Sequence, residues 1–239
     1  MPIDKYQYSP RHMLNSHDRE VDGKIMPIFI YGSSSQQGTT IYFKPTRTLF
    51  DVGADFTKFK NIVHEVDVVV ISHEHEDHLK WPVLQNMLKL QPNLKIILPK
   101  RIKIPTEYGL IGQHAIRLAN GNSTTVRLRD NQQITIATVQ TPHGNAVSNA
   151  FKITLRGTSL LFATDLSDTK TLFDDKFDLI MIEMNYDENE FISSNGSGGS
   201  VNHLSYQQAL VYTTAHLTEV GHYIPLHFGP TMQYFNQLA

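Results

Sequence analysis

The residues that could do chemistry are concentrated in one place. The segment His73-Glu74-His75-Glu76-Asp77-His78 follows directly on the apolar run 66-VDVVVIS-72. Imidazole and carboxylate groups packed this densely are costly unless a cation holds them together. Histidine nitrogen and carboxylate oxygen as a set suit zinc, manganese or iron. Alternate residues of an extended loop face the same way, so His73 and His75 are expected to converge on one ion. Asp77 and His78 then point to a second position. Two ions about 3.5–4 Å apart need more ligands than these four residues supply.

Each missing ligand has to end an apolar strand that faces the same edge. Three residues fit. His143 lies in 141-TPHGN-145, a turn after a strand expected over 133–140; Asp165 ends 158-TSLLFATD-165; His227 ends the apolar part of 222-HYIPLHF-228. The C-terminal ends of strands are where ligands collect on a layered α/β sheet. The two oxygens of Asp165 could bridge both ions. Asp51, at the end of 47-RTLFDVG-53, is better placed to support a ligand than to be one. Glu74 and Glu76 read as solvent-facing.

The elements behind these residues can be outlined. The continuous β-branched run before the cluster has the pattern of a buried central strand. Pro82 opens a helical pattern over 82-PVLQNMLKL-90, and 94-LKIILP-99 is a strand again. That order is α/β. Strands are also expected over 25–32, 40–45, 47–53, 123–130, 133–140, 149–155, 158–165, 177–185 and 222–229, and helical structure over 54–64, 168–175 and 203–218. The loop 32-GSSSQQG-38 reads as a hairpin turn, with the wall of a phosphate pocket as the lesser reading. Residues 1–24 read as a polar lead-in or edge strand, and 193-SSNGSGGS-200 as a flexible surface loop. Whether 189–200 is a substrate lid stays open.

Composition bounds the rest. The chain has 239 residues, 40% of them hydrophobic and 18% charged, enough to bury a sizeable core; a single domain over 1–239 is expected. With no cysteine, disulfides, thiolate catalysis and cysteine-ligated zinc are excluded. A net charge of −2 and a pI near 6.6 argue against a strongly basic nucleic-acid binder. The one clear basic cluster, 100-KRIK-103 with Arg117, Arg127 and Arg129, reads as a solvated face. No segment has the length of a membrane span or the h-region of a signal peptide, so the expected location is cytoplasmic, with no membrane partner.

The motif HEHEDH matches the HxHxDH signature of the metallo-β-lactamase fold superfamily, and His143, Asp165 and His227 complete that superfamily's ligand order. The resemblance runs from about residue 25 to residue 230. It implies a layered α/β (α+β) fold, a four-layer αββα sandwich. It implies that His73, His75 and His143 hold one divalent ion and Asp77, His78 and His227 the other, with Asp165 bridging. Zinc is the expected metal, with manganese open. The nucleophile so implied is a metal-bridging hydroxide, which Asp77 could aim.

One feature narrows the chemistry. In 202-NHLSYQQAL-210, His203 and Ser205 resemble the extra histidine motif of the superfamily's phosphodiesterase branch. That branch includes the tRNA 3′-processing endonucleases (RNase Z), related single-domain nucleases and cyclic-nucleotide phosphodiesterases. There the His-x-Ser/Thr histidine contacts the scissile phosphate and can protonate the leaving oxygen. Glu183, in 179-LIMIEMN-185, resembles the acidic residue that orients it. The resemblance implies Asp77, His203 and Glu183 as catalytic residues, with His203 and Ser205 on the substrate. The substrate would be a small nucleotide, such as a cyclic nucleotide, or a short nucleic acid, because the chain lacks the long Gly/Pro-rich arm that clamps tRNA. Two rival readings stand beside it. One is a lactonase, since 75-HEDHLKWPVL-84 and 94-LKIILPK-100 resemble the sugar-phosphate lactonase group; the other is a metal-binding interaction module without catalysis. A homodimer is left open.

Overall fold

The computed structural model describes residues 17–21, 24–189 and 202–229. Among the described residues, thirteen strands fall into two sheets. The first holds β1 (His17–Val21), β2 (Lys24–Gly32), β3 (Thr40–Phe43), β4 (Thr48–Phe50), β5 (Val68–Val70), β6 (Lys95–Pro99) and β7 (Ala115–Leu118), side by side in chain order. The second holds β8 (Ser123–Arg127), β9 (Gln133–His143), β10 (Ala146–Leu155), β11 (Thr158–Ala163), β12 (Phe177–Glu183) and β13 (Leu217–Leu226), again in chain order across the sheet. Strands β4 to β7 run parallel, as do β11 to β13.

Period-two alternation builds the layers. On β5, Val68 and Val70 face a core shared with Phe151, Phe162 and Met181 of the other sheet. Val69 and Ile71 face the opposite way, onto Leu84 and Met87 of helix α1 (Trp81–Leu90). On β12 the same split puts Leu179 and Met181 between the sheets, and Ile180 and Ile182 against Ala209 and Tyr212 of a late helix. Phe50 and Phe162 meet across the sheets with ring centroids 4.6 Å apart. Helix, sheet, sheet, helix is the four-layer sandwich expected from the motif.

Several elements differ from the sequence pattern. The helical spacing over 54–64 resolves into 3-10 turns at Phe56–Lys58 and Lys60–Glu65, the first capped by Asp55, whose carboxylate accepts from Thr57 N at 2.8 Å. No helix forms over 168–175; there the Asp168 carboxylate accepts from Lys170 N at 2.9 Å. A short acidic side chain bonding its own backbone competes with helix formation. A short helix not anticipated, α2 (Gly109–His114), sits in the stretch of mixed short runs before β7. The helix expected over 203–218 is α3 (Tyr206–His216); it starts later at a capping box made by Ser205 and Gln208, and ends where Leu217 enters β13. Within the polar lead-in, 17–21 form the edge strand β1. The segment 193–200 and nearly all of 189–200 lie outside the described residues.

Candidate metal centre

Strands of both sheets deliver their C-terminal ends to one rim of the sandwich. Residues 73–78 follow β5, His143 closes β9, Asp165 follows β11, Glu183 ends β12, and His227 follows β13. Asp51 follows β4 on the same rim. The 73–78 segment is not an extended loop. His78 N and Leu79 N both bond to His75 O, at 2.9 and 2.8 Å, so the chain turns helically through the motif. That turn carries Asp77 and His78 away from His73 and His75 toward a second position.

The donor atoms gather in overlapping groups. One atom each from His73, His75 and His143 lies within 4.8 Å of the others, and the same holds for Asp77, His78 and His227. Asp165 stands between them. Its Oδ2 is 2.9 Å from His78 Nε2, and its Oδ1 is 3.6 Å from both His143 Nε2 and His227 Nε2.

Four buried histidines are held by their Nδ1 atoms. His78 Nδ1 donates to Asp51 Oδ2 at 2.7 Å. His73 Nδ1 lies 3.0 Å from Ser72 Oγ, which itself donates to Asp51 Oδ2 at 2.8 Å. His143 Nδ1 donates to Asn202 O at 2.9 Å, and His227 Nδ1 to Glu183 Oε1 at 3.1 Å. Such Nδ1 bonds fix the tautomer and leave Nε2 as a lone pair. The Nε2 atoms of His73, His78 and His227 are buried with no hydrogen-bond partner. Lone pairs and carboxylate oxygens aimed at one point require a proton or a cation between them. The residues therefore fit divalent ions, and the nitrogen-oxygen donor set without thiolate suits zinc or manganese.

The electrostatics agree. Burial opposes charge on His227, but Asp165, Asp77 and Glu183 outweigh it and lift its pKa to about 10. His78 is likewise raised against its burial by Asp165 and Asp51. Burial and the neighbouring His78 hold His73 far below the usual imidazole range. Asp165, although burial disfavours its charge, is held well below the carboxylate range by His78 and His227. Three of the six non-glycine residues with positive φ among those described are Asp51, Asp165 and His227, at 56°, 52° and 51°. Left-handed backbone at such residues is strained and clusters at functional sites.

His203 borders the cluster. Its Nδ1 donates to Glu183 Oε1 at 2.5 Å, its ring stacks on His227 at 5.2 Å and 18°, and its Nδ1 is 3.8 Å from Asp165 Oδ1. Burial lowers its affinity for a proton, but the bond and charge of Glu183 prevail and the pKa is raised. Glu183 Oε2 accepts from Leu166 N at 2.9 Å and Leu204 N at 3.3 Å, so the carboxylate is fully used.

Ser205 does not reach this site. It is fully buried, its hydroxyl donates to Glu188 Oε1 at 2.6 Å and accepts from Gln208 N at 3.1 Å, and its place is the start of α3. The expected substrate contact from Ser205 is corrected to a helix cap. The basic cluster is also dispersed: Arg117 bonds the Lys100 and Ile102 carbonyls, and Arg129 pairs with Asp67. Sequence reading missed Ser72, Asn202 and Asn185. The Asn185 side-chain amide donates to His227 O at 2.9 Å, a contact no spacing announces.

The chain belongs to the Beta-lactamase superfamily domain family, which residues 46–228 match. No curated protein matches the sequence. Among solved structures, the short form of human tRNase Z superposes with a TM-score of 0.61 at 15% identity, covering 86% of this chain and 93% of that one. Zn(2+)-bound PqqB from Methylobacterium extorquens gives 0.64 at 10%, covering 85% and 89%. A diphosphatase from the PhnP family gives 0.57 at 12%, covering 89% and 91%. These likenesses are of fold alone.

Proposed function

We propose that this chain is a dinuclear metal-dependent phosphodiesterase acting on a nucleotide-type phosphodiester, either a cyclic nucleotide or a short nucleic acid. The observation that carries the reading is the His203–Glu183 pair, closed at 2.5 Å beside the metal cluster. A lactam or lactone hydrolase has no need of a second acid held in that place; an ester of phosphate has a poor leaving oxygen that must be protonated.

His73, His75 and His143 would hold one ion, Asp77, His78 and His227 the other, with Asp165 between. Zinc or manganese bound there would supply a water acidic enough to attack near neutral pH and would neutralise charge on the phosphoryl oxygens. Asp77, half-buried at the rim, orients the attacking water. His203, kept protonated by Glu183, contacts the phosphate and gives its proton to the departing oxygen. Glu183 lends no proton itself, since both its oxygens are engaged. The likeness in fold to a tRNase Z and a diphosphatase supports phosphate ester chemistry.

The test is a turnover panel with zinc- and with manganese-loaded protein. It covers cyclic nucleotides, short single-stranded RNA and DNA, a chromogenic phosphodiester and a lactone. Diester turnover that is lost in His203→Ala is expected. Activity confined to the lactone would overturn the reading in favour of a lactonase.

A further inference from the structure

Beside Asp77 the rim opens into a cavity of about 350 Å³ walled by Ser35, Gln36, Glu76, Asp77 and Lys80. Its floor is backbone, at Gly38 and Gly53. Three chain segments are stitched together there. Thr39 N bonds to Asp77 O at 2.6 Å, Gly53 N to Thr39 O at 2.9 Å, and Val52 N to His78 O at 2.8 Å. No larger residue fits the stack: a Cβ at Gly53 would stand 1.7 Å from Asp77 O, and one at Gly38 would stand 2.0 Å from Gly53 O. The same loop reaches the metal cluster, since Ser33 Oγ accepts from His227 N at 2.9 Å. The loop 32–38 is the hairpin connection between β2 and β3 that its sequence suggested, and it is also the fixed wall of a preformed pocket adjoining the centre, the lesser of the two readings.

The lining says what the pocket takes. Its volume is at the small end of ligand pockets, room for a sugar-sized group. No aromatic or large apolar side chain lines it among the described residues, so it offers nothing on which a base would stack. It offers instead a hydroxyl (Ser35), an amide (Gln36), a carboxylate (Glu76) and an ammonium (Lys80), the donors and acceptors that read a polyol. Asp77 turns its Oδ2 to His78 Nε2 and His227 Nε2, at 3.6 and 3.5 Å, and so faces the centre. Lys80 makes no ion pair among the described residues, not even with Glu76, and its ammonium stays available to an anion.

We infer that this cavity is the subsite for a hydroxyl-bearing, anionic arm of the substrate, a sugar phosphate in chemical class, with Lys80 as its anion contact. The inference rests on the phosphodiesterase reading for the rest of the substrate. The arm beyond the scissile bond sits on Lys80, Ser35 and Gln36 while the diester itself lies over the metal cluster.

The experiment is calorimetric titration of the metal-loaded protein with ribose 1,5-bisphosphate, which puts one phosphate at the centre and offers the other to Lys80, and, separately, with inorganic phosphate. Inorganic phosphate reports what the centre alone contributes. Ribose 1,5-bisphosphate is expected to bind at least ten-fold more tightly than phosphate. Lys80→Ala should erase that advantage, Lys80→Arg should keep it within about three-fold, and Gln36→Ala, an exposed loop change, should reduce it with phosphate binding unaltered. Equal affinities for the two probes in the unsubstituted protein would overturn the subsite. So would a Lys80→Ala effect of the same size on both. Turnover of bis(p-nitrophenyl) phosphate by the same preparation tests the diester chemistry separately; its failure would sink that reading while the titrations still decide the cavity.

Discussion

His203 and His227 share a single carboxylate oxygen. Glu183 Oε1 takes a hydrogen bond from Nδ1 of each, at 2.5 and 3.1 Å, and the two rings lie stacked between. One buried acid therefore fixes both a histidine of the candidate metal cluster and the histidine proposed for the leaving group.

The sharing separates two substitutions. His203→Ala should lower kcat on a phosphodiester by about 10²–10⁴-fold, the usual worth of a positioned acid, with metal content unchanged. Glu183→Gln should lower kcat and metal content together, because His227 loses its support. Steady-state kinetics paired with elemental analysis of each variant distinguishes the outcomes. Full metal content in Glu183→Gln would show that the His227 bond is dispensable.

Asp51 is fully buried and accepts from Ser72 N at 2.7 Å as well as from Ser72 Oγ and His78 Nδ1. Asp51→Asn keeps the volume but breaks the charge-assisted bond. Metal affinity is expected to fall by about 10–100-fold, as for other partners behind a ligating imidazole. A competition titration against a chromogenic chelator measures it, and an unchanged affinity would refute the assignment.

Because the buried Nε2 atoms have no other partners, bound ions should stabilise the fold. Metal at about 100 times its Kd contributes roughly 2.7 kcal/mol through linkage alone. Thermal denaturation with and without a chelator should show the lower midpoint in the chelated sample. Turnover should vanish there and return with zinc or manganese. Identical midpoints would mean the site holds no ion in solution.

Alkaline pH should weaken the fold through two tyrosines near Glu65. Burial, and then the charge of Glu65, pushes Tyr31 up to about 12 and Tyr42 higher still. Their folded pKa values lie above the unfolded value near 10. The stabilisation is therefore whole below pH 10 and is lost as pH rises through the folded values. Denaturant midpoints followed from pH 8 to 12 should decline, and less steeply in Tyr42→Phe. The phenol donates only to Glu65 O at 3.3 Å, which Arg47 also serves, so Phe should be tolerated at neutral pH.

The sequence made the layers and the cluster's partners legible for a physical reason. Buried strands must be apolar and β-branched, and a ligand must end one of them, so His143, Asp165 and His227 stand out at the borders of such runs. What stayed hidden depends on tertiary approach. The second use of Glu183, on His227, joins residues 44 positions apart. The wall made by 32–38 was only the lesser reading of that loop, because what fixes it is two glycines that let three backbone segments touch. Ser205 looked like a substrate contact because a serine at a helix start serves capping and binding equally well in sequence. The helix pattern over 168–175 failed where the Asp168 carboxylate took the Lys170 N–H instead.

The left-handed backbone at Asp51, Asp165 and His227 sets the chemistry against the scaffold. A chain held free of metal and selected only for thermal endurance would replace these residues with glycine or asparagine, relaxing each turn and removing buried charge, and could then hold no ions. Resistance to heat and capacity to react should therefore trade against each other at these three positions more sharply than elsewhere in the chain.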